Sequence, residues 1–274
     1  MKLTTGLKRI GLIQLCSTSN PEQNFDQIEK FTLEASKSGA KMVFLPENFN
    51  YMGSLAEGVA HAQSLNGSYM TKYKALAKSN KVWMSLGGFQ EQSKNPNKYY
   101  NSQIILNDLG EIVSVYRKLY LFDVKIDESL QMNESKYVLP GEKISEIVQT
   151  PIGNLGMGIC YDLRFPELFR TLSIKGAELL SIPAAFLEKT GFAHWEILLR
   201  ARAIENSCFV IASAQDGKHE SGRVSYGHSQ AIDPWGIPVS TSSSGPRVNI
   251  VDLDLDLVAK TRQRLPVLNH FKLL

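Results

Sequence analysis

Cysteine is scarce in this chain. It occurs three times in 274 residues, at the widely separated positions Cys16, Cys160 and Cys208. Such a set does not form a disulfide framework, and without a Cys-x-x-Cys pair no zinc site is expected. No apolar run approaches the ~18 residues that a membrane-spanning helix needs, and the N-terminus lacks the pattern of a signal peptide. We therefore expect a reducing, cytoplasmic location, with no membrane partner.

Strong charge of either sign is also missing. The net charge is +3 at pH 7, and the longest basic runs are the pairs Lys8-Arg9 and Arg117-Lys118, so no nucleic-acid partner is expected. A content of 43% hydrophobic and 21% charged residues is ordinary for a globular protein with a large core. Because no linker or low-complexity tract divides the chain, we expect one domain over residues 1–274.

Short apolar runs alternate with amphipathic stretches. Asn20-Pro21 predicts a helix cap with proline at the first helical position, and Gly39 predicts the end of that helix. Further helices are expected at 69–78, 165–175, 193–206 and 257–263. Strands are expected at 10–15, 41–46, 82–89, 101–106, 112–116, 144–149, 155–159, 178–183, 208–214, 229–232, 238–241 and 248–253. This alternation, interleaved with hairpins, predicts an α/β fold with mixed sheets covered by helices.

Cys160 lies where an apolar run ends and helix-like sequence begins, within LGMGICYDLRFPE at 155–167. A thiol at a sharp strand-to-helix turn is accessible to a substrate, and a helix N-terminus favours negative charge on it. A structural cysteine at the end of a buried strand has the same local pattern. Taken alone, the segment leaves the two interpretations about even.

Glu47 and Lys118 also follow apolar strands. Partial desolvation at such a position raises the pKa of a carboxyl group and suits Glu47 to proton transfer near neutral pH. An ammonium at Lys118 is suited to stabilising an oxyanion and a nearby thiolate. Each residue alone is more often a solvated surface charge. Three strand ends with Glu, Lys and Cys are nevertheless a set that one sheet edge can bring together.

Three segments resemble the signature blocks of the nitrilase, or carbon–nitrogen hydrolase, superfamily, in the same order and at similar separations. They are FLPEN at 44–48, YRKLYLFD at 116–123 and GICYDLRFPE at 158–167. The similarity continues through TGFAHWE at 190–196, RARAIE at 200–205 and the segment from YGHS at 226–229 to DPWG at 233–236. It therefore covers essentially the whole chain.

The resemblance implies a four-layer α-β-β-α sandwich that pairs with a second copy, as a homodimer or higher homo-oligomer. It also implies a Glu–Lys–Cys triad, here Glu47, Lys118 and Cys160, with no metal and no organic cofactor. A supporting glutamate of the family maps to Glu134, with Glu128 as the nearby competitor. The expected chemistry is amide hydrolysis through a thioester on Cys160, with the backbone N–H of Tyr161 and Lys118 holding the oxyanion.

Candidates for substrate binding lie close to Cys160 in the sequence or on a neighbouring loop. Arg164 is suited to binding a carboxylate, but equally to bracing the turn through Asp162 or Glu167. The segment 184–192 is expected to be a loop that forms a pocket wall, with Phe186 as an apolar surface and Thr190 as a polar contact.

Two further residues keep another mechanism open. His194 and His228 allow a Cys–His protease arrangement, although no cysteine-protease signature surrounds Cys160.

The substrate follows only from resemblance within the superfamily. The segments WMSLGGFQE at 83–91, LLRARAIE at 198–205 and ASAQDGKH at 212–219 are most similar to the deaminated glutathione amidase branch. That branch implies hydrolysis of deaminated glutathione to 2-oxoglutarate and cysteinylglycine, a metabolite-repair reaction on a small-molecule amide. An ω-amidase acting on 2-oxoglutaramate, an N-carbamoyl amino acid hydrolase and a catalytically silent scaffold stay open as alternatives.

Overall fold

The computed structural model describes residues 3–125 and 131–272. The helices are α1 (Pro21–Lys37), α2 (Leu55–His61), α3 (Ser68–Asn80), α4 (Pro166–Ile174), α5 (Glu188–Asn206) and α6 (Asp256–Arg264). The strands in chain order are β1 (Leu7–Gln14), β2 (Met42–Phe44), β3 (Trp83–Gln92), β4 (Tyr99–Leu106), β5 (Ile112–Arg117), β6 (Asp123–Lys125), β7 (Gln131–Asn133), β8 (Val138–Leu139), β9 (Val148–Thr150), β10 (Gly153–Met157), β11 (Leu179–Ser181), β12 (Phe209–Ala212), β13 (Asp216–Lys218), β14 (Val224–Tyr226), β15 (Gln230–Ile232), β16 (Pro238–Thr241) and β17 (Arg247–Asp254).

Two mixed sheets are built on the same plan. The first has the order β17-β1-β2-β3-β4-β5, with β8 beside β4, and the second has the order β16-β15-β12-β11-β10-β9. In the first, β1, β2 and β3 are parallel, and in the second, β10, β11 and β12 are parallel, with antiparallel strands on both sides. Parallel strands direct their carboxyl ends to one edge, where a site is expected.

The alternation of residues along β1 shows how the layers stack. Ile10 and Leu12 enter the core between the two sheets, whereas Ile13 enters the core under α1 and α3. At Gly11 a Cβ atom would come within 2.7 Å of Ala35 Cβ, so α1 packs directly on the strand. On the other side, α4 and α5 contribute Phe169 and Trp195 to the core of the second sheet. The layers are therefore α-β-β-α, as predicted.

Local signals located several elements correctly. The Asn20 side chain accepts hydrogen bonds from the backbone N–H groups of Glu22 and Gln23, with Pro21 as the first helical residue. The predicted strand at 238–241 coincides with β16. No helix in the described part of the chain is long and apolar enough to cross a membrane.

Other elements differ from the prediction. The expected loop 184–192 is a loop only as far as Leu187, because α5 begins at Glu188, five residues earlier than expected. The strand expected at 144–149 is confined to Val148–Thr150. Helix α2 and the hairpins β6–β7 and β13–β14 were not predicted. The C-terminal segment is half exposed at Leu265, and Arg170 lies over the Phe271 ring.

Candidate active site

Four buried side chains predicted from the sequence meet between the edges of the two sheets. Glu47 follows β2 and Lys118 follows β5 in the first sheet, whereas Cys160 follows β10 in the second. Glu134 begins a short 3-10 turn after β7. Their exposed fractions are between 2% and 7%, so all four are withdrawn from solvent. The alternative glutamate, Glu128, lies outside the described residues.

Lys118 joins the two glutamates. Its Nζ lies 3.0 Å from Glu47 Oε1, and 3.0 and 2.9 Å from Glu134 Oε1 and Oε2. Asn101 Nδ2 donates to both carboxylates, at 2.9 Å to Glu47 Oε1 and 3.3 Å to Glu134 Oε1. The backbone N–H of Phe122 donates to Glu134 Oε2 at 2.6 Å. Asn101 and Phe122 were not predicted, since only the folded chain brings them to these carboxylates.

The pKa of Glu47 is shifted in the direction opposite to our expectation. Burial alone raises it, but the Lys118 ammonium, a hydrogen bond from the Cys160 thiol and the positive charge of Arg223 outweigh burial and lower it. The second carboxylate oxygen, Oε2, accepts a 3.0 Å hydrogen bond from the backbone N–H of Ala185. Glu47 is therefore an ionised acceptor at neutral pH.

The pKa values of Lys118 and Cys160 are also shifted, by burial and by their charged neighbours. Burial lowers the pKa of Lys118, but the Glu134 and Glu47 carboxylates more than offset it, so the pKa lies well above its ordinary value. Burial and the negative charge of Glu47 raise the pKa of the Cys160 thiol, and Lys118 lowers it only in part. The resting pair is a carboxylate with a neutral thiol beside it.

Cys160 occupies a strained turn. Its φ is +46°, a left-handed conformation that side chains other than glycine rarely adopt, and its N–H donates to the Pro183 carbonyl at 2.9 Å. A 3-10 turn over Cys160–Arg164 follows, and α4 begins only at Pro166. The helix predicted at 165–175 corresponds to α4, but the 3-10 turn separates it from Cys160, so the thiol does not lie at an α-helical N-terminus as expected.

Asp162 braces this turn from inside the protein. Its Oδ2 accepts from Tyr116 Oη at 2.7 Å and from the Ile159 N–H at 2.8 Å, and its Oδ1 accepts from the Tyr120 N–H at 3.0 Å. Burial raises the pKa of Asp162 to about 6, against the lowering effect of these donors. The carboxylate thereby connects the turn of Cys160 to the segment that carries Lys118.

Comparison with known proteins identifies the family. Residues 9–263 match the carbon–nitrogen hydrolase family. The chain belongs to that family. It is similar to the deaminated glutathione amidase of Rattus norvegicus, with 43% identity over 268 residues, 96% of this chain and 82% of the rat protein.

Two crystal structures are similar throughout the fold. The Caenorhabditis elegans NitFhit protein has a TM-score of 0.94 and 40% identity, over 98% of this chain and 66% of that one. Saccharomyces cerevisiae Nit3, a member of the nitrilase superfamily, has a TM-score of 0.87 and 30% identity, over 97% of this chain and 96% of that one. The nitrilase-type sandwich is thereby confirmed, and the protein is a hydrolase of carbon–nitrogen bonds other than peptide bonds.

The pocket of this hydrolase that reaches Cys160 is narrow. Its wall includes Tyr161, Arg164, Phe186 and Thr190, the residues predicted to lie near the substrate. The pocket holds about 10 Å³, room for about one water-sized group. An acyl group of several carbon atoms therefore requires a side chain of this wall, such as Arg164, to move.

Arg164 does not brace the turn of Cys160 through Asp162, one of the partners that the sequence suggested. Its Nη1 lies 3.3 Å from His194 Nδ1, and its guanidinium lies over the rings of Tyr161 and Phe186. The Asp162 carboxylate is instead held by Tyr116 and backbone donors. Arg164 is thus a cation in the pocket wall.

The histidines do not form a Cys–His pair with Cys160. His194 lies beside Arg164, and His228 Nδ1 lies 2.8 Å from the Tyr226 carbonyl oxygen. The Glu47 carboxylate takes the place beside the thiol that an imidazole would need. In the described part of the chain, no group of three or more His, Cys, Asp and Glu side chains is arranged to hold a metal ion.

Arg223 is a site residue that the sequence did not reveal. It lines the thiol pocket from the β13–β14 hairpin, and its Nη2 donates to the Ala185 carbonyl oxygen. Since the Ala185 N–H donates to Glu47, Arg223 supports the peptide that orients this carboxylate. Its position became evident only from the hairpin, which the sequence analysis did not predict.

Proposed function

We propose that the protein is a cysteine-dependent amidase that hydrolyses deaminated glutathione to 2-oxoglutarate and cysteinylglycine. This proposal rests on one observation: in a buried site, the Glu47 carboxylate contacts both the Lys118 ammonium and the Cys160 thiol. An ionised base, a cation and a nucleophile in one desolvated cluster are what amide hydrolysis through a thioester requires. The similarity to relatives with that activity supports the substrate.

Acylation begins with proton transfer from Cys160 to Glu47 as the sulfur attacks the amide carbon. Lys118 and the backbone N–H of Tyr161 stabilise the negative charge that develops on the carbonyl oxygen. Glu47 then gives the proton to the departing amine as the carbon–nitrogen bond breaks. A thioester on Cys160 and a free cysteinylglycine result, with Glu47 ionised again.

Deacylation repeats the same proton transfers with water. Glu47 accepts a proton from water, and the resulting hydroxide adds to the thioester carbon. The carbon–sulfur bond breaks, 2-oxoglutarate leaves, and the proton returns from Glu47 to the Cys160 sulfur. Glu134 holds Lys118 in position throughout, through contacts of 2.9 and 3.0 Å.

The acyl half of the substrate requires a cationic contact, because 2-oxoglutarate retains a free carboxylate. Arg164 and Thr190 lie in the wall of the thiol pocket, with Phe186 as an apolar surface. We assign the 2-oxo acid end to these residues, with Arg164 turning from His194 towards the carboxylate.

An ω-amidase acting on 2-oxoglutaramate is the second candidate. Its substrate has the same 2-oxoglutaryl group as deaminated glutathione and would use the same acyl site at Cys160, so the two candidates differ only in the leaving group. An N-carbamoyl amino acid hydrolase and a catalytically silent scaffold are other outcomes. The decisive experiment compares kcat/KM of the purified protein on deaminated glutathione, 2-oxoglutaramate and an N-carbamoyl amino acid.

The thioester itself is tested by mass spectrometry of rapidly quenched reactions. A mass increase of one 2-oxoglutaryl group on the peptide containing Cys160 is expected, and Cys160→Ala is expected to be folded and inactive. Turnover by Cys160→Ala would contradict the mechanism. Failure of every amide to acylate Cys160 would favour the scaffold.

We also propose a homodimer in the cytoplasm. Cys16, Cys160 and Cys208 are all free thiols, which suits a reducing compartment. Exposed apolar side chains on α5 and the adjoining 235–237 turn support pairing with a second copy.

A further inference from the structure

A second, larger cavity adjoins the thiol pocket. This cleft has a volume of about 500 Å³, against about 10 Å³ for the thiol pocket. Leu187 and Arg223 line both, so these two side chains form part of the partition between them. A volume of this size is within the range of pockets that bind small organic ligands, and a leaving ammonia has no need of it.

The cleft borders the charged cluster. Asn48, the residue after Glu47, lines it, and so does Tyr99. Burial raises the pKa of Tyr99, and the negative charge of Glu134 raises it further, so this ring lies within the field of the cluster. The cleft therefore lies beside the charged cluster, on the other side of Leu187 and Arg223 from the thiol pocket.

The lining of the cleft suits a peptide. Met52, Leu55 and Val224 provide apolar surface, whereas Tyr51 and Gln90 provide polar groups. Sites for small molecules typically combine an apolar wall with a few polar contacts that fix orientation.

Among the described residues, Arg223 has a hydrogen-bond donor without an acceptor. Its Nη2 is held by the Ala185 carbonyl oxygen, which fixes the guanidinium plane. Its Nε is buried and has no acceptor in the part of the chain that the structure describes. A buried donor of this kind ordinarily has a partner, and an oxygen of a bound ligand would supply one once the Arg223 side chain turns to expose Nε, which is closed to a water-sized group in this conformation.

We propose that the cleft binds the leaving-group half of the amide, an amino acid or short peptide, and that Arg223 Nε donates to one of its carbonyl or carboxylate oxygens. The inference rests on the proposed amidase function and adds to it a specificity for substituted over unsubstituted amides. The acyl half stays at Arg164 and Thr190, on the thiol-pocket side of the partition.

The first test uses two amides with the same acyl group, deaminated glutathione and 2-oxoglutaramate. For the unmodified protein, kcat/KM is expected to be at least tenfold higher for deaminated glutathione. In Ser221→Trp, which fills the cleft from its exposed rim, the ratio of the two kcat/KM values is expected to fall at least tenfold. Ser243→Trp, the same change at an exposed position that does not line the cleft, is the matched control, and its ratio is expected to stay within twofold.

The second test concerns Arg223. Arg223→Lys retains a cation near Glu47 but removes both the Nε donor and the Nη2 contact to Ala185, so kcat is expected to fall on both amides. Recognition by Nε predicts in addition a rise in KM of at least fivefold for deaminated glutathione that 2-oxoglutaramate does not show. If Arg223 only supported Ala185 and Glu47, kcat would fall equally on both amides without this selective rise in KM, and recognition by Arg223 would be disproved. A selective rise in KM is not expected from a purely structural role.

Failure of this inference is distinguishable from failure of the proposed function. If the unmodified protein hydrolyses both amides equally and Ser221→Trp does not change the ratio, the cleft proposal is wrong while the amidase stands. If neither amide is hydrolysed, the proposed function itself fails. A derivative of deaminated glutathione whose C-terminal carboxylate is replaced by an amide identifies the oxygen that Arg223 contacts. If this derivative does not bind, the contact is to the terminal carboxylate. If it still binds, the contact is to an internal carbonyl.

Discussion

Glu47 combines two properties that usually conflict, since it is buried and yet ionised. Lys118 and Asn101 donate to one of its oxygens, and the Ala185 N–H donates to the other. These donors keep the carboxylate charged, so its affinity for a proton is low. We therefore infer that proton transfer from Cys160 accompanies sulfur attack, because a free thiolate is disfavoured beside this charge.

Replacing Glu47 with glutamine tests this role. Glu47→Gln retains the shape but is unable to accept a proton, so kcat is expected to fall by about 10³-fold, in the range of general acid–base contributions. Quench-flow measurement of thioester formation should show that acylation itself is slowed. Glu57→Gln, an exposed carboxylate of α2, is the control and should retain activity. Near-normal acylation in Glu47→Gln would exclude this residue as the base.

The pH dependence follows from the same shifts. The active form needs an ionised Glu47, so activity is lost as the pH falls through its pKa, which lies below the ordinary value of 4.5. The pKa of Lys118 lies above 10.5, so its ammonium persists through the alkaline range. We expect no loss of kcat/KM from these two groups between about pH 5 and pH 10. Circular dichroism at each pH separates loss of activity from unfolding, and a Glu47-dependent limb near pH 7 would contradict the assignment.

At the scale of single elements, the sequence predicted those features that depend only on neighbouring residues. The Asn20 cap and the strand ends that carry Glu47, Lys118 and Cys160 were all readable in the sequence. The N-terminus of helix α2 also has a local signal, because Ser54 and Glu57 form a capping box, although the helix was not predicted.

The start of α5 depends on tertiary packing. Gly191 lies inside this helix, and only glycine fits there, because a Cβ atom would come within 2.3 Å of Tyr226. In the sequence alone, a glycine disfavours a helix. The direction of the Glu47 pKa shift likewise depends on partners from distant elements. The local sequence predicts that a strand ends near Glu47, but it does not specify which side chains of other elements face that carboxylate.

Asp162 links the turn of Cys160 to the segment that carries Lys118, and its ionisation has a measurable effect on the free energy of unfolding. Its pKa is about 6 in the folded chain, against an ordinary value of 3.8, so the unfolded chain ionises first as the pH rises. Stability from this group is therefore present below pH 3.8 and is lost as the pH rises to about 6, by about 3 kcal/mol.

Urea unfolding of the unmodified protein and of Asp162→Asn from pH 4 to pH 7 tests this. The difference in free energy of unfolding between the two is expected to move in favour of the variant by about 2 kcal/mol across that range, since part of the full effect lies below pH 4. A kcat at least tenfold lower is also expected for the variant, because an amide loses one acceptor for the donors that hold the Cys160 turn. A difference that does not change with pH would contradict the assigned ionisation.

For the molecule as a whole, the α-β-β-α layering explains why the site lies between the sheets. Each sheet provides strand ends at its edge, and the charged cluster and the thiol come from different sheets. The mixed topology was predicted, and the family match confirms the fold. The extent of the single domain, 1–274, stays a prediction, as does the oligomeric state.

The outer face of α5 leads to the last prediction. Ile197 and Ile204 are 70% and 51% exposed, and Trp235 and Ile237 of the neighbouring turn are 54% and 53% exposed. Arg200 Nε donates to the Gly236 carbonyl at 2.8 Å, so the helix and the turn form one surface. An apolar surface of this kind is typical of an interface, and we expect it to lie within the dimer.

Light scattering coupled to size-exclusion chromatography is expected to give twice the chain mass for the unmodified protein. Ile197→Asp is expected to weaken the dimer at least tenfold, because a carboxylate buried in the interface would be desolvated without a partner. Leu109→Asp, at a turn residue that is 62% exposed on another part of the molecule, is the matched control and should leave the mass unchanged. A dimer that survives Ile197→Asp but dissociates in Leu109→Asp would place the interface elsewhere. A monomer in the unmodified protein would exclude the pairing.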